Sequence, residues 1–220
     1  MRFRDRVDAG ERLAAALESY RGKDMAVLAL PRGGVPVAAV VAAALKAPLG
    51  VLLVRKIGVP WEPELAMGAI VDGDAPVVVR NEDVIRTGSI PEADFERVRR
   101  KEEQELERRK TRYLSGRAIP EVAGRTVVIV DDGIATGATM RAAIQGIRRR
   151  GPAAIVVATP VAPVEVVARL EGQADAVVCL EPARDFVAIG AYYDDFRQLD
   201  DVDVIRCLEA QGNAPDAEGA

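Results

Sequence analysis

The chain has 220 residues, 49% of them hydrophobic and 29% charged, with a formal net charge of −4. That length suits one substantial domain, the composition is that of a folded globular protein, and the acidic balance argues against a general nucleic-acid binder. There is no histidine, which removes histidine triads, histidine metal sites and the usual proton shuttle near neutral pH.

The N-terminal "MRFRDRVDAGERL" is charged and lacks an apolar signal core. No apolar run approaches the roughly 20 residues needed to span a bilayer, so a cytoplasmic protein without membrane association is expected. "MAVLAL" (25–30) then reads as a strand apolar on both faces. "ALPRGGVPVA" (29–38) follows, where Gly33 and Gly34 permit unusual dihedrals and close approach and Arg32 supplies a cation. Taken alone, that turn could be a simple chain reversal. "VPVAAVVAAALK" (35–46) is a plausible helix and "LGVLLV" (49–54) a second buried strand, ending on Arg55 and Lys56. Trp61, Glu62 and Glu64 come next in a proline-rich turn that could gate a site.

Residues 89–116 break the pattern. Ser89 and Glu92 have capping-box spacing, Pro91 falls in the first turn, and Phe95, Val98, Leu106 and Tyr113 share one face of a densely charged helix. A solvated surface helix and a lid or dimer arm both fit. "TVVIVD" (126–131), "AIVVAT" (154–159) and "AVVCL" (176–180) complete the strands, with helices at 138–150 and at 163–172, the latter stopped by Gly172. Strand and helix alternate with short joins. The expected fold is therefore α/β, a doubly wound parallel sheet of about five strands flanked by helices, with a charged helical insertion and a small hood. Residues 1–210 are expected to form one domain, with 182–210 as its C-terminal hood or closing segment and 211–220 as a disordered tail. Cys179 and Cys207 have no ligand spacing and read as free buried thiols in a reducing compartment.

"VVIVDDGIATGAT" (127–139) carries the chemistry. Asp131 and Asp132 end a parallel strand, the edge at which open α/β sheets bind ligands. Ala135, Thr136, Gly137, Ala138 and Thr139 lead into a helix N-terminus, where free amides and the dipole favour a phosphate. A Walker loop would need Lys where Ala138 stands, and a Rossmann fingerprint would place its acid about 20 residues later. Here the acids precede the loop, so they would face a sugar attached to the phosphate and accept from vicinal hydroxyls. A capped turn with solvated aspartates is the plain structural alternative.

This stretch resembles, over its full length, the phosphoribosyl-pyrophosphate motif of the type I phosphoribosyltransferases, and the order of elements resembles that family from about residue 25 to 185. The resemblance implies transfer of ribose 5-phosphate from phosphoribosyl pyrophosphate to a nucleobase or related nitrogen acceptor, with release of pyrophosphate. It implies Asp131, Asp132, Arg32 and Lys56 as catalytic residues, with Asp131 and Asp132 also meeting Mg2+. It implies Ala135–Thr139, Gly33, Gly34 and Arg55 as ligand-binding, the 29–38 loop holding pyrophosphate, often through a strained or cis peptide. Arg55 and Lys56 look like the Arg-Lys pair of adenine phosphoribosyltransferases that faces the pyrophosphate or a nearby phosphate. Ala135 stands where hypoxanthine-guanine enzymes carry aspartate, which disfavours a 6-oxopurine. In "PARDFVAIGAYYDDFRQL" (182–199), Phe186, Tyr192 and Tyr193 could stack on a base and Asp194 or Asp195 accept from it, or the aromatics could pack on the core. Dimers are common in the family, so a homodimer is one implied assembly. The alternative function is a non-catalytic regulator binding the same ligand.

Overall fold

The structure is a computed structural model and describes residues 2–73, 76–114 and 119–212. In chain order it has α1 (Arg6–Ala16), β1 (Met25–Ala29), α2 (Gly34–Leu45), β2 (Leu49–Val51), β3 (Val54–Val59), β4 (Glu62–Val71) and β5 (Val77–Arg80). These are followed by α3 (Glu82–Thr87), α4 (Glu92–Leu114), β6 (Thr126–Val130), α5 (Ala138–Arg148), β7 (Ala154–Pro163), α6 (Val164–Glu171), β8 (Ala176–Ala183) and α7 (Asp201–Gly212). Short 3-10 turns lie at Glu18–Tyr20 and Ile189–Tyr192.

Five strands form a parallel sheet in the order β2-β1-β6-β7-β8, as expected. The two-residue period of a strand explains why its central members are apolar at successive positions. Along β6, Val128 and Val130 pack with Val35, Ala38 and Val41 of α2, whereas Val127 and Ile129 pack with Ile144 and Ile147 of α5. The central strands are therefore apolar at their buried positions on both sides, because helices cover both faces.

A separate antiparallel sheet, β3-β4-β5, stands beside the parallel one. This sheet, residues 54–80, is the hood, in place of the 182–210 segment expected to form it; the sequence pattern of 54–80 did not read as strands beyond Val54. The expected strand 49–54 is consequently divided: β2 ends at Val51, and Val54 already pairs with Val71 of the second sheet. The closing segment 182–210 holds the end of β8, the Ile189–Tyr192 turn and most of α7. The expected disordered tail lies outside the described residues from 213 onward.

The charged insertion is a 23-residue helix, α4, starting at Glu92. Ser89 is not its cap: its φ of 47° is left-handed, whereas an N-cap residue needs extended backbone. Phe95, Leu106 and Tyr113 are buried, and the opposite face is a ladder of near-neighbour ion pairs such as Glu105 with Arg108 and Arg109. Among the described residues no helix is long and apolar enough to cross a membrane.

Candidate active site

The register of the sheet sets two loops side by side. Met25 pairs with Thr126 and Ala29 with Val130, so β1 and β6 end level. The chain leaves β1 through Leu30, whose N–H donates to the Val130 carbonyl at 2.9 Å, and enters the 31–34 turn with a cis Pro31–Arg32 peptide. The chain leaving β6 enters Asp131 and Asp132. Glycine is required where the two loops touch. A Cβ on Gly33 would lie 1.9 Å from Asp132 Oδ2, and one on Gly34 would lie 2.7 Å from the Val130 carbonyl oxygen.

Asp131 Oδ1 accepts from the Asp132 backbone N–H at 2.9 Å. Asp132 is buried and its Oδ2 accepts from Arg6 Nε at 2.8 Å. Its main-chain carbonyl accepts from the Tyr193 hydroxyl at 2.6 Å. Burial, and next the charge on Asp132, push the Asp131 carboxyl well above the usual carboxylate range. Burial also raises Asp132, against the pull of the Arg6 guanidinium. Two adjacent acids in so little water resist carrying two charges at once. A cation or a set of hydroxyl donors placed on them would relieve that cost.

Beyond the acids, Gly137 has a φ of 76° and turns the chain into α5, while Ala135, Thr136, Ala138 and Thr139 stay exposed. The Thr136 hydroxyl accepts from the Ala138 N–H at 3.4 Å. The remaining amides of this first turn have no intrahelical acceptor, as at any helix N-terminus, where an anion is favoured.

The charged residues split into two groups. Arg32, Gly33 and Asp132 share a cavity of about 390 Å³ with Arg6, Phe196 and Gln198. Lys56 instead lines a cavity of about 400 Å³ between the small sheet and α5, together with Ala138 and Thr139. Arg32 is exposed and only loosely held, 3.8 Å from Asp201, which is gripped more closely by Arg112 and by the Tyr113 hydroxyl. Lys56 pairs at 3.0 Å with the exposed Glu64 of β4. Arg55 does not accompany Lys56. Adjacent residues of a strand point to opposite faces, and the Arg55 guanidinium forms a close double-donor contact with Glu102 of α4.

The aromatic cluster also divides. Phe186 stacks on Tyr192 with centroids 5.9 Å apart, both partly exposed. Tyr193 is 2% exposed and braces the Asp132 backbone, so it offers no face to a base. Asp194 is paired with Arg2 at 2.6 Å, and Asp195 accepts from the Arg197 N–H. Trp61 sits exposed at the turn between β3 and β4. Sequence reasoning missed Arg6 and the bracing role of Tyr193. Both contacts are long-range, and nothing local in "RFRDR" marks Arg6 as different from its neighbours.

A family model for the phosphoribosyl transferase domain matches residues 4–197. Two curated proteins from strains of Mycobacterium tuberculosis, provisionally named as phosphoribosyl transferases, are each 50% identical over 207 residues, covering 94% of this chain. The chain spans about half, 46%, of the length of these relatives. A crystal structure of a Thermus thermophilus protein superposes with a TM-score of 0.85 at 44% identity, covering 96% of this chain and 99% of that one. The matched region contains both site loops, the small sheet and Arg6, and the chain belongs to the phosphoribosyl transferase domain family.

Proposed function

We propose that this domain transfers ribose 5-phosphate from phosphoribosyl pyrophosphate to a nitrogen acceptor and releases pyrophosphate. The observation that carries this reading is the abutment of Gly33 on the Asp132 carboxylate. It brings a cation-bearing glycine turn, an acid pair and an anion cradle to one edge of the sheet.

The roles follow from position. The amides and hydroxyls of Ala135, Thr136, Gly137, Ala138 and Thr139 hold the 5-phosphate. Asp131 and Asp132 accept from the ribose hydroxyls. The 31–34 turn with Arg32 holds the pyrophosphate, and Lys56 adds charge from the small sheet. In the reaction the acceptor nitrogen donates its lone pair to the anomeric carbon as the bond from that carbon to the pyrophosphate oxygen breaks. The leaving oxygen takes that bonding pair, and the acceptor loses a proton to solvent. The ribose passes through an oxocarbenium-like state, which nearby carboxylates stabilise. The chain's work is to orient the sugar, balance the departing charge and exclude water. Arg55, committed to Glu102, acts as a clip between the small sheet and α4.

Among the described residues no group of three or more metal-ligating side chains occurs. Two adjacent carboxylates, one of them resisting ionisation, fit a magnesium ion that keeps waters and substrate oxygens as its other ligands. When bound there, such an ion would supply positive charge that offsets the charge of pyrophosphate and of the two acids. Phe186 and Tyr192 form the stacking surface available to an acceptor ring, and Ala135 supports an acceptor other than a 6-oxopurine.

A pyrophosphate-release screen over nucleobases and related nitrogen compounds, with magnesium and phosphoribosyl pyrophosphate, tests the reading. Turnover with one acceptor is the expected result. Ligand binding without turnover across the screen would favour a regulatory protein that reads the same ligand.

A further inference from the structure

We propose that Arg6, the first residue of α1, is a positioning residue for Asp132 and makes the N-terminal helix part of the active site. This rests on the phosphoribosyl-pyrophosphate reading above.

The guanidinium is fixed in three ways. Its Nε donates to Asp132 Oδ2 at 2.8 Å and one terminal NH2 group to the Arg197 carbonyl at 3.0 Å. Its face lies 4.1 Å from the centroid of the Phe196 ring. The helix that carries it is fixed too: Asp5 caps α1 by accepting from the Val7 and Asp8 N–H groups, and Asp8 ties Arg4 to Arg12. Just before the helix, the Phe3 N–H donates to the Tyr192 carbonyl and the Asp194 N–H donates to the Phe3 carbonyl, each at 2.8 Å.

Asp132 is therefore held at both ends. Tyr193 holds its main-chain carbonyl and Arg6 holds its carboxylate. Residues 3–6 and 193–197 form one brace around the second acid of the motif, with Gly33 closing the remaining side. Among the described residues no arginine or lysine donates to the Asp131 carboxylate, whose Oδ1 accepts from the Asp132 backbone N–H.

Stability alone does not account for this arrangement. A buried ion pair is a poor stabiliser compared with an apolar pair of the same volume. Here one partner is a proposed sugar ligand and the other lines the cavity that also holds Arg32 and Gly33. Groups that orient a ligating carboxylate through its free oxygen set its direction and its charge, and their loss typically lowers affinity by about 10- to 100-fold. Arg6 meets that description for Asp132.

The test compares two probes on the full chain: phosphoribosyl pyrophosphate with magnesium, and inorganic pyrophosphate without magnesium. The first uses the Asp132 carboxylate through its sugar and its metal. The second uses the 31–34 turn and Lys56 but not the acid pair. Arg6→Gln is expected to weaken the first by roughly 10-fold or more and to leave the second within about 2-fold. Arg6→Lys, which keeps the charge, is expected to recover part of the loss. Phe196→Leu, which removes the supporting ring but keeps the ion pair, serves if the Gln variant fails to fold, and is expected to show the same selective loss at smaller size. Equal loss of both probes, or no loss of either, would overturn the positioning role while leaving the site reading intact. Wild-type protein that binds pyrophosphate but not phosphoribosyl pyrophosphate would overturn the site reading, and the role of Arg6 with it.

Discussion

Gly33 and Asp132 are in such close contact that a single methyl group on Gly33 would fall 1.9 Å from the carboxylate oxygen that Arg6 holds. No rotamer change of Asp132 alone relieves this, because Arg6 and Tyr193 hold that residue at both ends. Gly33→Ala must part the two loops. The expected result is at least a roughly 10-fold loss of phosphoribosyl-pyrophosphate affinity by calorimetry, with a stability cost of about 1–3 kcal/mol from overpacking. Wild-type affinity in the variant would contradict the contact.

Lys56 and Arg55 are neighbours in sequence with separate tasks. Lys56→Met is expected to weaken ligand binding and leave the unfolding midpoint near its wild-type value, since its partner Glu64 is fully solvated. Arg55→Met leaves Glu102 unpaired and partly buried, at a cost of about 1–3 kcal/mol. Paired calorimetry and thermal unfolding on both variants check the division. Equal effects of the two substitutions on binding would show that both cations reach the ligand.

Asp131 is costly to ionise in the folded chain. Burial and the neighbouring charge on Asp132 raise its carboxyl, so the folded chain holds this proton to higher pH than the unfolded chain. Stability is then lost as pH climbs above the ordinary carboxylate value near about 4, and the loss stops growing once pH passes the raised value. In metal-free buffer, Asp131→Asn is expected to unfold at a higher temperature than wild type near neutrality. The advantage should shrink toward about pH 4, while ligand binding is weakened near neutrality. Thermal unfolding across that range, with and without ligand, is the measurement.

Gly137 sits at a φ of 76°, and a Cβ there would meet Val166 Cγ1 at 2.9 Å. Gly137→Ala is expected to cost about 1–2 kcal/mol from the left-handed backbone alone and to tilt the amides of the phosphate cradle. Reduced affinity for a ribose 5-phosphate fragment would accompany the lower unfolding midpoint. A variant with an unchanged midpoint would mean that the turn relaxes without strain.

The parallel sheet was legible because helices cover both faces, so the fully buried positions of β1 and β6, all of "MAVLA" and the last four of "TVVIV", are apolar. The acid pair and its glycine turn were legible because they are contiguous. The small sheet was not, since β2 and β3 merge into one apolar run, "LGVLLV", with the boundary set by which sheet each half joins. The Arg-Lys pair was read as one unit, whereas a strand sends neighbours to opposite faces and Arg55 turns to Glu102 of α4 while Lys56 turns to Glu64. Arg6 was invisible for a different reason: it meets Asp132 across 126 positions of sequence. Ser89 and Glu92 had the spacing of a capping box, but Ser89 adopts left-handed backbone and the helix starts later.

The most direct test of the central claim is calorimetric titration of the full chain with phosphoribosyl pyrophosphate in the presence of magnesium, repeated on the Asp131→Asn, Asp132→Asn double variant. The expected result is one site per chain in the wild type, dependent on magnesium, and a loss of about 10-fold or more in a variant that still folds. Unchanged affinity in the double variant, or no binding by the wild type, would contradict the assignment of these two acids to the sugar-phosphate site.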